Sequence, residues 1–140
     1  MAHIERTIDR VWEGSVARGG GTITGRSGAF TELPFSEPSR IALTEGDTSP
    51  EELLAAAHAG CLTMSIAGEL TRDKRPPTRL EVTCTIVMDE VEGQGHEIVA
   101  SHVTLGGDEV SDEIIARADK GCPFSRLLKR AGVDVTISRA

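Results

Sequence analysis

Aromatic residues are almost missing from this 140-residue chain, which has three Phe, one Trp and no Tyr. Ala, Val, Ile and Leu must therefore fill the core. With hydrophobic residues at only 39%, such a core is marginal, which points to an oligomer. Cysteine is also scarce: three residues, an odd number, with no CxxC spacing. That excludes a secreted disulfide framework and a standard zinc site, leaving thiols that are structural or reactive in a reducing compartment. Basic charge is in deficit, 15 Lys and Arg against 22 Asp and Glu, a net −7. A general nucleic-acid or anionic-membrane binder needs the opposite field. The N-terminal "MAHIERTIDRVWEG" lacks the apolar core of a signal peptide, and no apolar stretch is expected to reach bilayer length. The expectation is a soluble, cytoplasmic protein with neither nucleic acid nor membrane as partner.

What is present reads as one domain over residues 1–140, long enough to bury roughly two-thirds of its unfolded surface without staples. The segments "TIDRVWEG", "GGGTITG" and "RIALTEG" are short strands punctuated by Gly and Pro, with Pro34 and Pro38 bracketing a loop. "TSPEELLAAAHAGCLTMSIAGELTRD" predicts a long helix. Ser49 stands at its N-cap, Pro50 at N1 and Glu52 at N3, and it runs to about Leu70. "RLEVTCTIVMDEV" alternates as a strand, with Leu80, Val82, Cys84, Ile86 and Met88 on one face. It pairs through "EGQG" with "GHEIVASHVTLGG". Ser111 caps a helix ending at Gly121, Pro123 starts a short one, and "VDVTIS" closes as a strand. The order is βββ-α-ββ-αα-β, an α+β class.

The three cysteines differ in setting. Cys84 lies on the apolar face of its strand, which reads as core. Cys122, before Pro123, is the N-cap of the last helix, where backbone N–H groups and the helix dipole favour a thiolate. Cys61 sits some 12 residues into the long helix, out of reach of that helix's own dipole. An ordinary Cys is only about 3% thiolate at pH 7, so local physics favours Cys122 over Cys61 as nucleophile. His58 lies three residues before Cys61 on the same face. It reads as a packed side chain or as a base for the thiol. His58, Cys61 and Cys122 lack a fourth metal ligand. Ala56, Ala57, Gly60 and Cys61 are small enough to admit a close neighbour.

"SPEELLAAAHAGCLTMSIAGEL" around Cys61 and "KGCPFSRLLK" around Cys122 resemble the OsmC/Ohr family, the osmotically inducible protein C and organic hydroperoxide resistance proteins. "VWEGSVARGGGT" resembles the OsmC branch. The resemblance extends over essentially the whole chain. It implies an OsmC-like α+β fold: antiparallel sheets packed around long central helices in an intertwined homodimer. It also implies a thiol peroxidase without metal, flavin or other cofactor, acting on organic hydroperoxides. In that scheme Cys61 is peroxidatic, forming a sulfenic acid, and Cys122 resolves it as a disulfide. A dithiol reductant, in the family typically a lipoyl group on a carrier protein, reopens the bond. Glu51 matches the family's acidic residue, and Arg40 in "EPSRIALTEG" its arginine, with Arg18 in "VARGGG" as the alternative.

Glu51 and Cys61 are ten residues apart, about 15 Å along one helix axis. One arginine can scarcely hold the first and touch the second. The expectation is that Arg40 and Glu51 serve the Cys61 of a partner subunit. An apolar pocket lined by Leu54, Met64, Phe124 and Leu127 would favour alkyl or fatty-acid hydroperoxides. Two other classes remain: a non-catalytic thiol-bearing binding protein, and a structural dimer whose cysteines only pack. Loss of thiols on exposure to a hydroperoxide separates them from a peroxidase.

Overall fold

Glycine lets the first two strands approach each other. In a computed structural model, which describes residues 3–42 and 46–140, β1 (Ile8–Glu13) and β2 (Gly20–Gly25) pair antiparallel, from Ile8 opposite Gly25 to Glu13 opposite Gly20. A Cβ on Gly21 would collide with the Val11 carbonyl and crowd the Phe35 ring, so only glycine fits there. β3 (Leu33–Phe35) adds antiparallel to β2, with Pro34 opposite Thr22. Trp12 and Arg10 both cover the Phe35 ring, at 5.5 and 4.5 Å from its centroid. Residues 1–50 form one compact unit and 51–140 a second. Among the described residues of the first, Ile23 and Phe35 are the buried apolar ones, while Ile8, Val11 and Val16 stand exposed.

The strand expected at "RIALTEG" does not form where it is described. Glu37–Ile41 is a short helix, α1, and residues 43–45 lie outside the described part. The reason is local: Ser36 accepts from the Ser39 amide, and the Ser39 hydroxyl accepts from the Ser36 amide, a reciprocal capping box. Pro38 then sits in the first helical turn rather than at the edge of a loop. The third strand moves back to Leu33–Phe35.

The second unit is built on α2 (Pro50–Arg72), which starts at the expected proline and runs two residues past Leu70. Its 23 residues are long and apolar enough to cross a bilayer, contrary to the expectation from sequence. Core helices of soluble proteins share that length and composition. β4 (Leu80–Val91) and β5 (Gly95–Gly107) pair antiparallel, with a register shift between Val87 and Met88. α3 (Asp112–Gly121), capped by Ser111, and α4 (Pro123–Arg130) follow. β6 (Asp134–Arg139) then returns parallel to β5, Ala100 opposite Asp134. The second sheet is thus mixed, not antiparallel. A parallel neighbour requires a crossover, and α3 with α4 supplies it.

Leu62, Ile66 and Leu70 of α2 pack with Val103, Leu105, Val110, Ile114 and Ala118. Three polar residues share this interior with essentially no exposed surface: His58, Ser101 and Ser125. The opposite face of α2 carries Ala56, Gly60, Met64 and Gly68, all exposed, and a Cβ on either glycine would meet nothing. Gly107 is the reverse case. Its φ of +83° is left-handed, and a Cβ there would strike the Arg79 carbonyl. Gly107→Ala is expected to lower stability by about 1–3 kcal/mol, read as a drop in urea midpoint, while Gly68→Ala leaves the chain's own packing intact. Burial pushes the His58 imidazole below the ordinary histidine value, with Asp119 opposing and Lys129 reinforcing. The neutral form is favoured by the fold, so its stabilisation is present above about pH 6.5 and fades as pH falls. The stability advantage of the native chain over His58→Gln should therefore narrow between pH 7.5 and pH 5, checked by urea midpoints at both.

Candidate thiol site

Cys61 and Cys122 come together in the second unit, although 61 positions separate them in the chain. The helix face that buries His58, Leu62 and Ile66 also turns Cys61 toward the joint between α3 and α4. That joint is a single residue. Cys122 closes α3 with its amide donating to the Asp119 carbonyl at 3.2 Å, and opens α4 with its sulfur accepting from the Ser125 amide at 3.5 Å. Pro123 at N1 makes this possible, because its missing N–H would have had no helical partner. Ser65, four residues beyond Cys61, donates to the Ala118 carbonyl at 2.7 Å and ties α2 to the end of α3.

Around Cys61 lie the Cys122 side chain, the Phe124 backbone amide and the Arg126 guanidinium. Burial pushes the Cys61 thiol above its ordinary value, and the polar contact with Cys122 adds to that rise. The Phe124 amide and Arg126 pull the other way without cancelling it. Cys61 has help that the sequence did not indicate. Its own helix offers nothing mid-length, but α4 directs its N-terminal amides toward it. Both thiols occupy one helix N-terminus. They differ in access: Cys122 has no exposed surface, whereas Cys61 is half-buried.

Behind the pair runs a hydrogen-bonded chain. His58 Nε2 contacts Ser125 Oγ at 2.8 Å and Nδ1 contacts Ser101 Oγ at 2.6 Å. The Cys84 sulfur lies 3.3 Å from Ser101 Oγ and 3.9 Å from His58 Nδ1. Cys84 packs against the core as expected, and its thiol also ends this polar chain. His58 is the packed side chain of the two readings offered by the sequence. Neutral imidazole has one donor and one acceptor nitrogen, and two hydroxyls satisfy both. Ser101 and Ser125 are members that sequence reasoning missed. The available signals were a serine on the inward face of "IVASHVTL", in register with Val103 and Leu105, and a serine three residues after a cysteine N-cap.

Glu51 is half-buried in the first turn of α2, ten residues from Cys61. Arg40 is exposed in the last turn of α1, within the first unit. Arg18 is exposed, its amide donating to Ser15 Oγ at 3.2 Å. Of the four residues expected to line an apolar pocket, Met64, Phe124 and Leu127 stand exposed in their own unit, and Leu54 is half-buried.

Comparison with known proteins places these features in a family. The model of OsmC-like protein matches residues 43–138. The chain is 36% identical over 124 residues to Peroxiredoxin OsmC of Escherichia coli (strain K12), covering 84% of this chain and 85% of that protein. It is 26% identical over 136 residues to the organic hydroperoxide resistance protein-like protein of Mycoplasma genitalium, covering 92% of this chain and 90% of that one. The crystal structure of the organic hydroperoxide resistance protein OhrB of Bacillus subtilis has a similar fold. Its TM-score is 0.75 at 22% identity, covering 96% of this chain and 98% of that chain. By family model and by identity, this chain belongs to the OsmC-like protein family.

Proposed function

We infer that the protein is a peroxidase that reduces organic hydroperoxides, alkyl or fatty-acid in character, through Cys61 and Cys122. The names of its relatives, a peroxiredoxin and organic hydroperoxide resistance proteins, support a peroxidase-type role. The observation that carries the two-cysteine reading is the meeting of both thiols at the N-terminus of α4. Access divides their labour. A bulky hydroperoxide reaches half-buried Cys61 and not fully buried Cys122.

In this scheme the Cys61 thiolate attacks the distal peroxide oxygen and the O–O bond breaks. The alkoxide leaves, takes a proton and becomes the alcohol, and Cys61 is left as a sulfenic acid, oxidised by two electrons. Cys122 then attacks the Cys61 sulfur. The S–S bond forms and the S–O bond breaks, releasing water. A dithiol reductant of the lipoyl type reopens the disulfide by two exchanges, first at Cys61, the accessible sulfur. No metal or flavin takes part.

Burial of Cys61 opposes the thiolate, so a nucleophile here needs added positive charge. Arg40, oriented by Glu51, supplies it from a partner subunit in a cytoplasmic homodimer, with each chain acting as one domain. The exposed face of α2 at Ala56, Gly60, Met64 and Gly68 fits such a neighbour, since among the described residues nothing comes within 4 Å of where a Cβ on either glycine would stand. An apolar surface left open in this way is the kind that a second copy covers. The rival reading, a thiol-bearing binding protein without turnover, leaves the cysteines reduced.

One equivalent of tert-butyl hydroperoxide should remove two of three thiols, with Cys84 left free by mass mapping. Cys61→Ser should abolish the loss, and retention of all three thiols in the native chain would overturn the reading. Cys61 alkylation by iodoacetamide, followed in a Cys84→Ser/Cys122→Ser background, rises with pH as the thiolate forms. Adding Arg40→Met should move that profile to higher pH, and superimposable profiles would remove Arg40 from the site. Gly60→Glu is expected to convert dimer to folded monomer, checked by sedimentation and circular dichroism. Mixing Arg40→Met with Cys61→Ser chains should restore activity if the sites are shared between subunits.

A further inference from the structure

His58 has no exposed surface, and neither have its two partners, Ser101 and Ser125. Burying three polar side chains among Leu62, Ile66, Val103 and Ile114 costs free energy that an aliphatic filling would not. The cost is offset only if each polar atom is bonded, and here both ring nitrogens are. What the arrangement adds over an aliphatic filling is a fixed register between three elements: α2, β5 and the first turn of α4.

That register bears on the thiols. His58 and Cys61 are three apart on α2, and Cys122 and Ser125 are three apart across the start of α4, so each pair shares a helix face. The two faces meet twice, His58 with Ser125 at 2.8 Å and Cys61 with Cys122. Ser125 is held by both of its polar groups, its amide on the Cys122 sulfur at 3.5 Å and its hydroxyl on His58. The amide-to-sulfur bond changes character when Cys122 becomes half of a disulfide. The hydroxyl-to-imidazole bond involves no sulfur.

We propose that His58 is a positioning residue for the thiol pair: by bonding Ser125 it holds the first turn of α4, and with it Cys122, against Cys61 while both thiols are reduced, so that the disulfide closes without realigning the helices. The proposal rests on the reading of Cys61 and Cys122 as a redox pair. It does not make His58 a base, since its nitrogens are occupied by the two serines. Ser101, itself 3.3 Å from Cys84, sets the ring's orientation from the sheet side.

The test uses the full-length chain and glutathione redox buffers, which make and break the Cys61–Cys122 disulfide with no peroxide present. The equilibrium ratio of disulfide to dithiol reports how closely the two sulfurs are held. His58→Leu keeps the volume and removes the bond. Ser125→Ala removes the same bond with the smallest change, so it serves if His58→Leu does not fold. His58→Gln places an acceptor where Nε2 stood. His58→Leu and Ser125→Ala should each lower the disulfide ratio by up to about tenfold, because the dithiol relaxes once the bond is gone while the S–S bond holds the oxidised pair regardless, a difference bounded by one buried hydrogen bond. The double variant should be no worse than either single one, and His58→Gln should stay within about threefold of the native ratio. A purely structural histidine would shift the melting temperature in His58→Leu and Ser125→Ala while leaving the ratio at its native value, and that result would overturn the proposal. A native ratio sensitive to His58 in a chain that consumes no hydroperoxide would support the positioning role while sinking the peroxidase reading.

Discussion

The contact between the face of α2 and the first turn of α4 is the constraint on which the second unit depends. On one side stand His58 and Cys61, on the other Cys122, Phe124 and Ser125. The aliphatic core beneath them would tolerate small slides of one helix over another, because apolar contacts are not directional. Hydrogen bonds to a buried imidazole do not tolerate such slides. The polar chain from Cys84 through Ser101 and His58 to Ser125 turns a general hydrophobic association into one alignment, and the thiols inherit it.

The electrostatics of Cys61 follow from the same contact and pull in two directions. Burial and the neighbouring thiol favour the neutral form, while the Phe124 amide and Arg126 favour the thiolate. Within one chain the first pair prevails. A sulfur so placed is less often ionised than an ordinary thiol. Cys122 differs in depth: it has no exposed surface, so α2 rather than solvent is its neighbour.

The fold was legible in the sequence wherever local chemistry decided it. The start of α2 at Pro50, the cap at Ser111, the double role of Cys122 before Pro123 and the β4–β5 hairpin all rest on neighbours within a few residues. Failures came where the deciding partner was distant or read in the wrong frame. "RIALTEG" has strand-like residues, yet the Ser36–Ser39 box claims its start for α1. The parallel pairing of β6 depends on a crossover that no segment of β6 encodes. At the site, Cys61, Cys122 and Cys84 were visible as residue types. The reach of α4's amides to a thiol on another helix was not, because a dipole can be credited only to the helix that owns it until two helices are brought together. Ser101 and Ser125 each carried a local signal, but the histidine that joins them is 43 and 67 positions away in the chain.

The joint at Cys122 has one further consequence, for how chains of this kind vary in length. α3 and α4 share a single connecting residue, so there is no slack between them. One residue added within α4 ahead of Ser125 would rotate everything after it by about 100° about the helix axis, taking the hydroxyl away from the imidazole. One removed from α3 would draw the sulfur back along the axis of that helix. The β4–β5 turn around Gly93, with open space about it, carries no such coupling. A residue inserted at the hairpin tip would leave α2 and α4 aligned, whereas one inserted at the helical joint would not, so the segment from Ser111 to Arg130 behaves as a ruler of fixed length.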